Sequence, residues 1–276
     1  MKNNPVKRTI FYIFLVFFLT FILFPFFWQL LTSVKPIKEL WSIPPTWIPS
    51  QINLSYYESV FFKRSFTTYL KNSFIVAGCT TAFSLFITSF ASYALARLNF
   101  RGKKSILCLS LSVSMFPAIA IVSPLFLFMR NCHLLNSYWG LILTYSTFAI
   151  PLSLWNLNAY FKQIPLDLEE SAKVDGATPI QAFLKIIFPL AAPGMFTTAI
   201  LTFIAAWNEF FYSLTFNTAD NMRTVPVGIA MFPGDYDMPW GDISAASVVV
   251  TIPLIIMVLI FQKRIISGLT AGAVKG

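Results

Sequence analysis

The sequence predicts an all-α integral membrane protein of six transmembrane helices, and three observations carry that prediction. Of 276 residues, 57% are hydrophobic and only 11% charged, against roughly 45–50% apolar and 25% charged in soluble domains. Six stretches stay apolar over the roughly 20 residues that a helix needs to cross a bilayer core of about 30 Å. They are hydrophobic all round, without the alternation that the strands of a transmembrane barrel would show.

The first span covers about 10–31, behind Lys2, Lys7 and Arg8. A basic start also opens a signal peptide, but about 22 apolar residues exceed the 7–15 of such a peptide and no small-x-small site follows, so the helix is read as retained. The second span, about 73–96, is rich in small residues. The third, about 106–129, contains Pro117 and Pro124. Each proline removes a backbone hydrogen bond and kinks the helix, which suits a gate and a purely structural bend equally. The fourth, about 137–161, carries Trp155, Asn156, Asn158 and Tyr160, whose aromatic faces and amides fit sugar recognition or polar glue between helices. The fifth, about 195–216, holds Glu209 beside Trp207 and Asn208, and the sixth covers about 243–261. An ionisable group in hydrocarbon is expensive, so Asn208 and Glu209 are expected to face a pathway or hold a gate. The competing reading places Glu209 near outer water, since about 15 residues at 1.5 Å each set it roughly 22 Å from the inner surface.

Lysine and arginine placement sets the orientation. With the N-terminus inside, the inner segments hold Lys2, Lys7, Arg8, Arg97, Arg101, Lys103, Lys104, Lys162, Lys173, Lys185, Lys263, Arg264 and Lys275. The outer ones hold Lys35, Lys38, Lys63, Arg64, Lys71, Arg130 and Arg223, so the bias is 13 to 7 and both termini are expected to be cytoplasmic. The net charge of +9 thus reports topology, and a nucleic-acid partner is not expected. Outside, 32–71 with Trp41, Trp47, Tyr56 and Tyr57, and 217–241 with Asp220, Arg223, Asp235 and Asp237, read as solvated loops with interfacial anchors or as docking surfaces for a soluble partner.

Catalytic chemistry has little to stand on. Cys79, Cys108 and Cys132 lack CxxC spacing and read as packing residues, and His133 has no ligand or carboxylate near it in sequence. No metal site, no resident cofactor and no enzymatic activity are expected, because hydrolytic constellations need groups that this chain does not supply.

The inner segment between the fourth and fifth spans, EESAKVDGATPIQAFLKIIFPLAAPG from Glu169, is polar and punctuated by glycine and proline. Asp167, Glu169 and Glu170 crowd the first turn of a short helix, where carboxylates meet the positive end of the dipole. Ala172 and Gly176, one turn apart, predict a face of small side chains that another surface can approach. Gly176 supplies a break; Thr178 and Gln181 form a capping box with Pro179 at the first helical position. Ile180, Phe183, Leu184 and Ile187 then recur at i, i+3, i+4 and i+7 as an apolar stripe, and Pro189 is expected to end the helix. The segment reads as two short amphipathic helices. Its leading carboxylates would be repelled by anionic lipid, which favours a protein partner over the membrane surface.

Glu170, Ser171, Ala172, Asp175, Gly176, Ala177, Phe183, Ile186, Pro189 and Pro193 together resemble the "EAA" loop of permease subunits in binding-protein-dependent ABC importers, with serine for the middle alanine. FIAAWNEFFYSL (203–214) and GLTAGAVKG (268–276) resemble the second permease subunit of maltose- and trehalose-type carbohydrate importers, and the similarity extends from the first span to the last residue. The resemblance implies a six-span permease fold with a cytoplasmic N-terminus at 1–9, a membrane domain at 10–263, a coupling loop at 165–193 within it and a cytoplasmic tail at 264–276.

It further implies that Glu169, Glu170, Ser171, Ala172, Asp175, Gly176, Ala177, Phe183 and Pro189 serve coupling to an ATPase, and that Gly268, Leu269, Thr270, Gly272 and Lys275 of the tail contact the ATPase dimer. The implied partners are a second homologous permease, two ATP-binding subunits and an external sugar-binding protein, in an inner membrane. ATP and Mg would sit on the ATPase subunits, consistent with the lack of a phosphate-binding loop here. The implied cargo is a disaccharide or related glucoside of the maltose/trehalose type, with a glucosylated polyol as the alternative, and Asn208, Glu209, Trp155 and Asn158 are the candidate pathway residues. The rival reading is a secondary transporter driven by an ion gradient, for which Glu209 would be the one acidic relay.

Overall fold

The computed structural model describes residues 5–232 and 238–271, with side chains described from 6 to 262 of these. In chain order the helices are α1 (Pro5–Thr32), the short α2 (Ile37–Leu40) and α3 (Ser55–Glu58), α4 (Phe66–Arg97), α5 (Lys103–Ser114), α6 (Ala118–Asn131), α7 (Tyr138–Phe161), α8 (Asp167–Val174), α9 (Pro179–Ala182), α10 (Phe188–Leu190), α11 (Ala192–Trp207), α12 (Phe211–Phe216), α13 (Val225–Ala230) and α14 (Trp240–Ala271). Wider π-helical turns run through Ser59–Lys63 and Phe183–Ile187. The described residues include no strand.

Four uninterrupted helices are long and apolar enough to cross a membrane, over Val6–Thr32, Phe66–Arg97, Tyr138–Phe161 and Trp240–Gln262. Two bent pairs raise the number to six if each counts as one span: α5 with α6, at 92°, and Pro179–Leu190 with α11, at 73°. The third expected span is therefore not one rod. Pro117 disfavours helical backbone at the residue before it and itself stands at the N-cap of α6, whereas Pro124 is absorbed inside that helix. The fifth expected span is also interrupted, because α11 stops at Trp207 and α12 starts only at Phe211. The last helix instead overruns expectation: α14 continues through Lys263 and Arg264 to Ala271, so the predicted tail begins as helix.

The chain divides into two compact units, Met1–Thr67 with Ile229–Ile252 and Thr68–Gly228 with Pro253–Gly276. In the first, α1 exposes nearly its whole circumference; Phe17 and Phe21 are about 70% exposed. A helix hydrophobic all round that its own chain leaves bare needs lipid or another subunit to cover it. After α1, Lys35 is buried, with Nζ 3.9 Å from the centre of the Trp28 ring and donating to the Thr46 carbonyl at 2.6 Å. Burial lowers the pKa of this ammonium, and the Glu39 carboxylate opposes the shift. Trp47 closes on Trp28 edge-on at 5.4 Å.

In the second unit, buried hydroxyls bond back to the carbonyl one turn earlier, as Thr88 does to Ser84, Thr144 to Gly140 and Thr198 to Gly194. These hydroxyls are thereby paired within their own apolar helices, whereas Thr80 Oγ1 and Ser84 Oγ are buried without a partner. Between helices, Ser153 and Thr202 share a hydrogen bond at 3.0 Å. Gly194 lets Tyr160 lie flat on the start of α11, where a Cβ would fall 2.3 Å from the ring. A cluster of Tyr93, Leu157, Phe161, Phe183, Ile187 and Ala191 forms the core beneath the polar segment.

Candidate functional site

The segment from α8 to α10 is built from local signals. Asp167, Glu169 and Glu170 occupy the first turn of α8, where the exposed N–H groups favour negative charge. Gly176 ends the helix at φ +85°. Its N–H donates to the Lys173 carbonyl and that of Ala177 to the Ala172 carbonyl, at 3.0 and 2.9 Å, the paired bonds of a Schellman cap, which wants glycine in the left-handed region. The capping box forms as expected: Gln181 N–H donates to Thr178 Oγ1 at 3.3 Å and Thr178 N–H to Gln181 Oε1 at 2.9 Å.

Packing then fixes which side faces out. Phe183 is 2% exposed, its ring 4.7 Å from Tyr93, 5.3 Å from Phe90 and 6.1 Å from Phe161. Ala172, Ala182 and Ile187 are buried with it. The exposed residues include Glu170, Ser171, Asp175 and Gly176, joined by Val174 at 87% and Ile180 at 67%.

Several expectations change accordingly. Ala172 does not offer an open small-residue face, because it is packed within the chain. Glu169 does not face outward: its side chain is 5% exposed, Tyr93 Oη donates to Oε1 at 3.0 Å, Lys173 Nζ lies 3.0 Å from the same oxygen, and Arg97 Nε lies 3.8 Å from Oε2. The stripe splits, with Phe183 and Ile187 buried while Ile180 and Leu184 are exposed. Ile180 lies in α9, ahead of the π turn at Phe183–Ile187, and Leu184 lies within that turn, while Phe183 is drawn inward by Tyr93, Phe90 and Phe161. The helix closes at Leu190, one residue past Pro189, and the wide turn just before the proline relieves the clash that an α turn would impose.

Val174 and Ile180 as exposed apolar residues, and Arg97 and Tyr93 as partners of Glu169, were not anticipated. The available signal was an arginine and a tyrosine one turn apart at the end of the second span, opposite a loop rich in carboxylates.

The pathway candidates separate. On α7, Trp155 is 38% exposed whereas Asn158 is buried, its Oδ1 without a hydrogen-bond partner. Asn208 is exposed and donates to the Ile204 carbonyl at 2.9 Å. Glu209 does not sit mid-helix: it lies in the break and accepts from the N–H groups of Tyr212 at 2.8 Å and Ser213 at 3.2 Å, capping α12. Cys79, Cys108 and Cys132, expected as packing residues, are exposed and unpaired. No group of three or more metal-ligating side chains occurs among the described residues. Gly268, Leu269 and Thr270 fall on the last turns of α14, while Gly272 and Lys275, like Asp235 and Asp237, lie outside the described residues.

Residues 84–270 match the family described as the binding-protein-dependent transport system inner membrane component. The chain belongs to this family. The matched region takes in α7 and the whole α8–α10 segment. The permease is 43% identical, over all of both chains, to the trehalose/maltose transport system permease protein MalG of Thermococcus litoralis. It is 45% identical to the sulfoquinovosyl glycerol transport system permease protein SmoH of Agrobacterium fabrum, over 92% of this chain and 89% of that one. With the trehalose transport system permease protein SugB of Mycobacterium tuberculosis the identity is 44%, over 92% and 93%. A crystal structure of a bacterial ABC transporter that imports the acidic polysaccharide alginate has the same fold, with a TM-score of 0.80 over 95% of this chain and 98% of that chain at 24% identity.

Proposed function

We propose that this permease forms half of the translocation pathway of an ATP-driven sugar importer and couples to its ATPase subunits through α8–α10. The observation that carries the reading is the two-sided construction of that segment. Its inner side is anchored by Phe183 and Glu169, and its outer side presents Glu170, Val174, Asp175 and Ile180 to a partner. Closure of two ATP-bound subunits would move the segment as a rigid body and switch the pathway between inward and outward access. The chain is non-catalytic in this reading, with ATP and Mg held by the ATPase subunits. A second homologous permease and an external sugar-binding protein complete the assembly, both termini are cytoplasmic, and the last turns of α14 lie near the ATPase dimer.

The cargo in this reading is a disaccharide or related glucoside. Relatives named for trehalose and maltose support it, and one named for sulfoquinovosyl glycerol keeps a glycosylated polyol as the alternative. Ion-gradient coupling through Glu209 is disfavoured, because both its oxygens are engaged by backbone N–H groups of α12.

The test is sugar-stimulated ATP hydrolysis by the reconstituted importer, wild type against Glu170→Ala and Gly176→Asp, across disaccharides and a glucosyl glycerol with the cognate binding protein. Hydrolysis that requires the binding protein and is uncoupled by both substitutions upholds the reading, and the stimulating sugar names the cargo. Uptake that persists without ATP overturns it.

A further inference from the structure

We propose that Arg97 and Glu169 are a pair of positioning residues, a joint through which movement of the docking helix α8 is passed to α4. The inference rests on the importer reading and adds to it the route by which the moving segment takes hold of a membrane helix.

The joint is made of two charged side chains that are each less than 5% or about 5% exposed. From the last turn of α4, Arg97 Nη2 donates to the Ile164 carbonyl, at 2.6 Å, in the turn that leads into α8. Its Nε points at Glu169 Oε2 across 3.8 Å, and neither of those two atoms has a hydrogen-bond partner. Tyr93, one turn earlier on the same face of α4, donates to the other carboxylate oxygen at 3.0 Å. One face of α4 therefore binds one oxygen and faces the other of a carboxylate that belongs to the first turn of α8.

Two features suit this arrangement to transmission. Separation of α8 from α4 would take the Tyr93 hydroxyl and the Arg97 guanidinium from Glu169 and leave it only the half-exposed Lys173 of its own helix, so the two helices resist parting at this point. The Nε–Oε2 gap, in contrast, leaves room to tighten by about 1 Å to a charge-assisted bond of 2.7–2.9 Å. An element with an open and a closed arrangement is what a discrete transition requires. The exposed residues of α8 can engage a partner while Glu169, on the inner side of the same helix, carries the displacement into α4.

The experiment measures sugar transported per ATP hydrolysed by the complete importer in proteoliposomes, with ATPase-subunit co-purification as a second readout. Glu169→Gln keeps the shape and the acceptor for Tyr93 but removes the charge, and is expected to lower the ratio about tenfold with the ATPase subunits still bound. Tyr93→Phe removes one hydroxyl, is safe for folding, and is expected to lower it about threefold. The reversed pair Arg97→Glu with Glu169→Arg is expected to recover part of the loss. A wild-type ratio in both single variants overturns the joint; so does loss of ATPase-subunit binding in both, which would place Glu169 in the docking surface. Wild-type hydrolysis that ignores the binding protein would instead remove the importer reading, and the joint with it.

Discussion

Each of the two units holds a largely buried arginine–carboxylate pair at the first turn of a helix, and the two pairs are made differently. In the first unit, Arg64 meets Asp242 Oδ2 from Nε at 2.8 Å and from Nη2 at 2.5 Å, and Ser59 Oγ donates to the same oxygen at 3.2 Å. Its guanidinium also lies 4.4 Å from the centre of the Phe232 ring. In the second unit, the closest approach of Arg97 to Glu169 is 3.8 Å and leaves both atoms unpartnered. The first pair is closed and holds the start of α14 against the segment before α4. The second is slack and sits in the segment proposed to couple to the ATPase subunits. The same two residue types thus act as an anchor or as a joint according to how completely their hydrogen bonds are made.

The largest expected effect tests the anchor. Asp242→Ala should destabilise the protein by about 3 kcal/mol, since Arg64, partly exposed and stacked on Phe232, would lose its carboxylate. Glu169→Ala should cost less, because Arg97 would retain the Ile164 carbonyl and the lost contact was already long. Thermal unfolding of the two variants in detergent compares them directly, and equal losses would remove the distinction between closed and slack pairs.

Next in size is Glu209. It caps α12 through two N–H groups, so Glu209→Ala should cost about 2 kcal/mol by leaving them unpaired. Glu209→Gln keeps an acceptor and should recover more than half of that. If the glutamine variant is instead as damaged as alanine, the charge itself is needed and the residue does more than close a helix break.

Glu209 also marks where the sequence stopped being legible. The apolar spans and the all-helical class follow from composition and run length, and the ends of α8 and α9 follow from residues adjacent in the chain: the first-turn carboxylates, Gly176, Thr178 and Gln181. Those signals are local, and they survive into the structure. The break at Asn208–Phe210 is hidden because the apolar run resumes directly after Glu209 and a capping carboxylate reads like a buried one. The break before α6 was half visible, since Pro117 was noted as a kink and not as a helix start. The inward turn of Glu169 depends on Tyr93, 76 positions earlier, and no local pattern reports such a partner. The split between Ile180 and Phe183 is likewise set by distant partners, since Phe183 packs on Tyr93, Phe90 and Phe161.

The smallest effects sharpen the comparison at the level of the backbone. Gly176 has open space where a Cβ would stand, so Gly176→Ala meets no clash and its penalty is conformational alone. A left-handed backbone costs an alanine about 1–2 kcal/mol. Thr178→Ala removes the side-chain half of the capping box and should cost about 1 kcal/mol. Because the two sites are neighbours in one turn, their losses should not simply add. If both reduce coupling in the transport assay while the melting temperature falls by no more than these energies imply, the Schellman cap and the capping box keep Val174 and Ile180 in register for a partner. If the melting temperature falls and coupling does not, the caps serve the fold alone, and the docking function rests on side chains that do not need this turn to be rigid.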